Sequence, residues 1–204
     1  NFEPTAFEKG LSLRFHGARH HAYADAVTCV HESLYRMQLE HIDLYLIHSP
    51  SVKRHGDAYL WCWEALQQFQ AEGLVTSIGV SNFSDDHIAA LRGATPVVNQ
   101  IELHPTLGQP GLRAQMHARK IVVVSYSPLG QADDLTDQVV QEIAEASGRT
   151  PAQVVLRWHI QHGLVAIPRS SHPQRIAENL DIFDFELSDE QMELIDSMDE
   201  SEPS

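Results

Sequence analysis

The run Asp43-Leu-Tyr-Leu-Ile-His48-Ser-Pro50 constrains this chain more than any other feature. Side chains alternate along a strand, so Leu44, Leu46 and His48 share one face while Tyr45 and Ile47 take the other. A strand apolar on both faces belongs in a parallel sheet with helices packed outside it. An imidazole at the C-terminal end of such a strand stands where barrel enzymes place their chemistry. The plainer reading of the same residue is a core histidine bonded to a backbone group. Residues 43–48 alone do not decide between the two.

Strand-like and helix-like segments alternate from residue 24 onward. A helix is predicted over Ala24–Leu39, with Val27, Val30, Leu34 and Met37 on one stripe. A second runs over Ala58–Ala71, with Trp61, Ala65, Leu66 and Phe69 inward and Gly73 as its C-terminal stop. Strands are predicted at Thr76–Asn82, within Val97–His104, at Ile121–Tyr126 and at Leu164–Pro168. Helices fit Ser84–Leu91, Pro110–Arg119, Leu135–Ala146, Pro151–His162 and Pro173–Leu180. The capping-box spacing Ser188-Asp-Glu-Gln191 opens a last helix to Met198. Five strands alternating with helices make a parallel α/β architecture, either a barrel or an open doubly wound sheet. A polar residue stands at or near each strand's C-terminal end: His48, Asn82, Gln100, Tyr126 and Arg169.

Charge narrows the partners. With 14 basic and 28 acidic residues the formal net charge is −14, which argues against nucleic acid or an anionic membrane surface but leaves room for a small anion held by local arginines. No apolar run reaches the roughly 18 residues of a membrane span, and Asn1–Gly10 has no signal-peptide core. Cys29 and Cys62 fall in predicted helices at no metal-site spacing, and read as reduced thiols of a cytoplasmic protein. His20-His21 has no further ligand at metal-site spacing, so no metal is expected.

Taken in order, five segments resemble the aldo-keto reductase family. They are Asp43–Pro50, Gly73–Phe83, Val98–Pro105, Ser125–Gly130, and Ile167–Ser170 running on through Arg175, Glu178 and Asn179 to Phe185. Order and spacing agree from about residue 22 to residue 199, and within the family the chain is most similar to the bacterial diketogluconate-reductase type. The resemblance implies an α/β fold of the (β/α)8 TIM-barrel type, here with about five of eight βα units plus a C-terminal helix. By the same token residues 1–21 are an atypical N-terminal segment, 22–199 a partial barrel and 200–204 a tail.

The chemistry implied is NADPH-dependent reduction of aldehyde or ketone groups of small molecules by hydride transfer. His48 matches the family's histidine, which orients the carbonyl and donates a hydrogen bond as negative charge develops on oxygen. Ser81, Asn82 and Gln100 match the groups that bond the nicotinamide carboxamide, and amide side chains suit that task because each offers donor and acceptor. Tyr126 matches the aromatic residue that stacks on the nicotinamide ring. Ser127, Leu129 and, further on, Gln131 match the loop along the pyrophosphate. Arg169, Ser170, Ser171 and Arg175 match the patch for the adenosine 2′-phosphate, and Glu178 with Asn179 the adenine contacts. Two guanidiniums and two hydroxyls near a helix start form an anion site. The family more often carries lysine where Arg169 stands; arginine keeps the charge and gains bidentate geometry. Taken one at a time, these residues also read as polar punctuation at strand ends, a core tyrosine and a solvated helix start.

The family's catalytic tyrosine, aspartate and lysine have no match. Phe15–His20 lies where the lysine-bearing strand would end but holds no lysine, and Lys9 is out of register. Tyr23, Tyr35 and Tyr59 are placed by no motif, so no proton donor is nominated. The sequence therefore reads as an N-terminally incomplete reductase, with self-association expected through an open barrel edge. The other reading is a non-catalytic NADPH-binding or interaction module derived from the family. Which carbonyl compound would be the substrate is not legible.

Overall fold

A computed structural model describes residues 18–200. The expectations for Lys9, for Phe15–Gly17 and for the final four residues lie outside that range. The chain divides into two compact units, one running to Val97 and the other starting at Val98.

The first unit contains helix α1 (Ala18–Met37), strand β1 (Ile42–Ile47), the single turn α2 (Val52–His55), helix α3 (Ala58–Ala71), strand β2 (Val75–Ser81) and helix α4 (Asp85–Ala90). β1 and β2 are parallel, with Ile42 opposite Val75 and Ile47 opposite Val80. Helix α3 follows the predicted bounds because its end is built into the sequence. Gly73 takes φ +77°, its N–H bonds Gln70 O at 3.1 Å, and Leu74 N–H reaches Phe69 O at 3.0 Å. That double closure satisfies carbonyls the helix would otherwise leave bare. The core is Val30 and Leu34 from α1, Trp63, Leu66 and Phe69 from α3, and Ile78 and Val80 from β2.

Two expectations change here. α1 already includes Ala18, six residues before the predicted start, since no proline or glycine interrupts the turns between Ala18 and Ala24. β1 is not buried on both faces. Tyr45 lies against α1 beside Ser33, whereas Leu44 on the opposite face is 41% exposed.

The second unit runs through β3 (Val98–Glu102), α5 (Pro110–Ala118), β4 (Val122–Tyr126), two 3-10 turns (Gly130–Ala132 and Asp134–Thr136), α6 (Gln138–Ser147), α7 (Pro151–Gln161), β5 (Val165–Ala166), α8 (Pro173–Leu180) and α9 (Asp189–Asp196). β3, β4 and β5 lie parallel and in chain order, Val98 opposite Val122 and Val124 opposite Val165. Its core gathers Leu103, Met116, Val140, Val154, Leu156, Trp158 and Ile195. The helix predicted from Leu135 starts at Gln138 instead, because the Asp137 carboxylate caps it by accepting from Val139 N–H at 2.8 Å. β5 is only two residues long, as Pro168 has no N–H to extend a ladder.

Helix α7 is anchored at both ends. Thr150 and Gln153 exchange capping bonds at its start. Toward its C-terminal end His159, fully buried, faces Val155 O at 2.8 Å, Ser125 Oγ at 3.1 Å and Leu103 O at 3.2 Å. Burial pushes this imidazole's pKa down, so it is held neutral within the core.

Candidate cofactor and catalytic site

His48 follows directly on the last residue of β1 and is exposed. Its backbone carbonyl accepts a hydrogen bond from Asn82 Nδ2 at 3.1 Å. Asn82 follows β2, takes φ +60°, and also donates to Ser81 Oγ at 3.2 Å. Asparagine tolerates the left-handed region better than most residues because its short amide bonds locally. The structure therefore ties together three predicted positions of the first unit, His48, Ser81 and Asn82. Ser81 is nearly buried at 3% exposure, while Asn82 and His48 open to solvent.

In the second unit, Gln100 sits in the middle of β3 rather than at its end, and is half-buried. Tyr126 closes β4, half-buried, its hydroxyl pKa pushed up by burial and then by the charge of Glu102. A tyrosine kept neutral and partly open offers a ring face for stacking. The chain then turns sharply. Ser127 takes φ +50° and Gly130 φ +54°, with Gly130 N–H bonded to Ser127 O at 3.0 Å and Ala132 N–H to Leu129 O at 2.8 Å. The Gln131 side chain lies outside the described residues.

After β5 the chain carries Arg169 and Ser170 to a cleft of about 460 Å³. Asn179 from α8 lines it as well, and Ile176, Leu180 and Phe183 supply apolar wall. Ser170 Oγ accepts from His172 N–H at 3.1 Å, fixing the turn into α8. Arg169 and Arg175 are exposed, and neither forms an ion pair among the described residues. Glu178 accepts from Gln174 Nε2 at 3.0 Å along α8. Arg169, Ser170 and Asn179 thus share one cleft; Ser171, Arg175 and Glu178 do not line it.

The Aldo/keto reductase family model matches residues 13–200. The chain belongs to the aldo/keto reductase family. An aldo-keto reductase of Mycolicibacterium vanbaalenii is 48% identical over 171 residues, 82% of this chain and 61% of that protein. Methylglyoxal reductase DkgA of Escherichia coli is 44% identical over 174 residues, 83% of this chain and 62% of its own length. The chain thus spans about three fifths of these reductases. Among solved structures, Gox0644 in its apo form superposes with a TM-score of 0.84 at 44% identity, covering 87% of this chain and 66% of that one. A mutant of Gox0644 in complex with NADPH gives 0.82 at 44% identity, over 85% and 65%. This aldo/keto reductase chain has the family's α/β fold of the TIM-barrel type, with five βα strands among its described residues.

Among the described residues of the reductase chain no helix is long and apolar enough to cross a membrane. No group of three ligand-type side chains stands together there either. Tyr23 and Tyr59 are buried, Tyr59 edge-on to Phe83 and His87, and Tyr35 is 85% exposed on α1.

Sequence reasoning missed one group beside the turn after β4. Asp134, 2% exposed, accepts from Thr106 Oγ1 at 2.7 Å, and His104 Nδ1 stands 2.9 Å from its other oxygen. Burial raises its pKa, but the adjacent His104 imidazole and the hydrogen bond from Thr106 outweigh that and hold it below the usual carboxylate range, while Oδ2 itself accepts no hydrogen bond among the described residues. The available signal was a carboxylate four residues beyond Gly130, with histidine and threonine flanking Pro105 after β3.

Proposed function

We propose that this chain binds NADPH and serves the reduction of aldehyde or ketone groups of small molecules. The observation that carries the reading is the Arg169–Ser170–Asn179 cleft, with Arg169 in its wall and Arg175 on the following helix α8, neither guanidinium having an ion-pair partner among the described residues. In a chain of net charge −14, cations left unpaired beside a cleft invite an anion. The donor set suits a nucleotide 2′-phosphate: forked guanidinium groups, and hydroxyls at Ser170 and Ser171. That a related protein has been solved with NADPH, and others carry reductase names, supports the same reading.

When bound, the cofactor would supply the hydride. The chain's residues would then do the rest. Ser81, Asn82 and Gln100 would hold the carboxamide, Tyr126 would lie against the ring, and Ser127 and Leu129 would follow the pyrophosphate. Arg169, Ser170, Ser171 and Arg175 would hold the 2′-phosphate, with Glu178 and Asn179 toward adenine. His48 would donate from its imidazole to the substrate oxygen, where negative charge grows as the carbon is reduced. The bond from Asn82 to the His48 carbonyl fixes the backbone from which that imidazole projects.

The test is a titration of the purified chain with NADPH followed by tryptophan quenching, then loss of NADPH absorbance on adding small aldehydes such as methylglyoxal. Saturable binding with carbonyl-dependent oxidation is expected. Binding without oxidation would leave a nucleotide-binding module, and no binding by a folded chain would end both readings.

A further inference from the structure

The turn after β4 opens with Ser127 at φ +50° and Gly130 at φ +54°, both in left-handed backbone, and Ala132 follows at φ +82°. For serine that conformation costs about 1 kcal/mol, so the surroundings must impose it. Asp134 stands against the other end of the turn, at Gly130. A Cβ built on Gly130 would meet Asp134 Oδ2 at 2.5 Å and Cγ at 2.6 Å. The turn therefore rests directly on this buried carboxylate, and only glycine allows the approach.

The carboxylate is itself held from the loop after β3. Thr106 Oγ1 donates to Oδ1 at 2.7 Å, while His104 Nδ1 stands 2.9 Å from Oδ2 and 3.0 Å from Thr106 Oγ1. Thr106 is fixed in turn: its carbonyl accepts from Glu200 N–H at 3.0 Å. Two residues on, Gly108 N–H donates to Asp199 Oδ1 at 2.9 Å. Four stretches of chain thus meet in one stack, from the C-terminal segment through the His104–Gly108 loop and Asp134 to the turn. A carboxylate is costly to bury, and an apolar residue filling the space would stabilise the fold as well. A charge held in contact with the Ser127–Gly130 turn defines that turn's geometry more than it adds stability.

We propose that Asp134 is a positioning residue: gripped by Thr106 and His104, it sets the Ser127–Gly130 backbone in the conformation that receives the cofactor pyrophosphate. This rests on the NADPH reading above, and the test separates the two. Asp134→Asn, Thr106→Val and Thr106→Ser are made in the 204-residue chain. Each is titrated with NADPH, and amide exchange is followed at Ala132 and Asp133 in the turn and at Val124 in β4. Asp134→Asn and Thr106→Val should raise the NADPH Kd about tenfold, the scale of one hydrogen bond to a charged group. They should speed exchange at Ala132 and Asp133 and leave Val124 unchanged, and Thr106→Ser should restore both readouts. Wild-type affinity in a folded Asp134→Asn chain would overturn the proposal. So would faster exchange spread equally to Val124, which marks a role in stability alone. Should the unaltered chain bind no NADPH, the cofactor reading falls, and exchange still decides whether Asp134 sets the turn.

Discussion

Arg169 in the cleft wall and Arg175 on α8 offer the clearest residue-level prediction. Arg169→Ala with Arg175→Ala should weaken NADPH binding by roughly a hundredfold, about tenfold for each charge-assisted contact, with NADH nearly unaffected since it lacks the phosphate. Parallel fluorescence titrations check it; equal losses for both nucleotides would remove these arginines from the phosphate site. Asn82 makes a second case. Asn82→Gly keeps the left-handed backbone and loses the bond to the His48 carbonyl, whereas Asn82→Ala loses both. Alanine should therefore cost about 1 kcal/mol more than glycine, read from urea denaturation midpoints. Protonation of the core gives a third. His159 and His162 have pKa values lowered by burial from 6.5, so the unfolded chain takes up protons first as pH falls. Their contribution is fully present above about 6.5 and is lost progressively below it. Asp134, lowered from 3.8, adds a further loss at more acid pH. Denaturation midpoints should drop between pH 7.5 and pH 5; a flat profile would contradict the burial of His159.

Secondary structure was written into local sequence at several ends that a cap or breaker marks, though not at the Asp137 cap of α6. α3 ends at Ala71 as expected, closed by Gly73, and α7 and α9 start after Thr150 and Ser188 with both capping bonds formed. Thr150→Ala should cost about 1 kcal/mol of stability, the usual worth of an N-cap, with Thr150→Ser near wild type. Elements that depend on distant partners were harder to read. β5 has helical and strand-like neighbours but pairs for two residues only. Gln100 falls in mid-strand because the ladder with β4 continues to the pair of Glu102 and Tyr126.

At the scale of the molecule, an acidic chain carries an apolar margin. Ile176, Leu180 and Phe183 are 46%, 68% and 68% exposed at one cleft, and β5 beside them pairs with β4 alone among the described residues. Apolar exposure of this kind favours association, and like charge opposes it. Raising ionic strength shortens the Debye length from about 30 Å at 0.01 M to about 8 Å at 0.15 M. Sedimentation velocity should accordingly show more self-association in the higher salt, and Phe183→Glu should suppress it. A chain monomeric at every concentration in both salts would sink that expectation.

What the sequence determined by itself was the order of strands and helices, the family, and the strand-end places of His48, Asn82 and Tyr126. Each depends on neighbours a few positions away, or on motifs read in register. Tertiary structure alone decided what those residues rest on. The bond from Asn82 to the His48 carbonyl spans 34 positions, that from Thr106 to Asp134 spans 28, and that from Gly108 to Asp199 spans 91. Asp134 stood in the sequence as one more acid in a chain with 28. Only folding brings Thr106 and His104 to it, and burial makes their attraction strong enough to hold a charge beneath the turn.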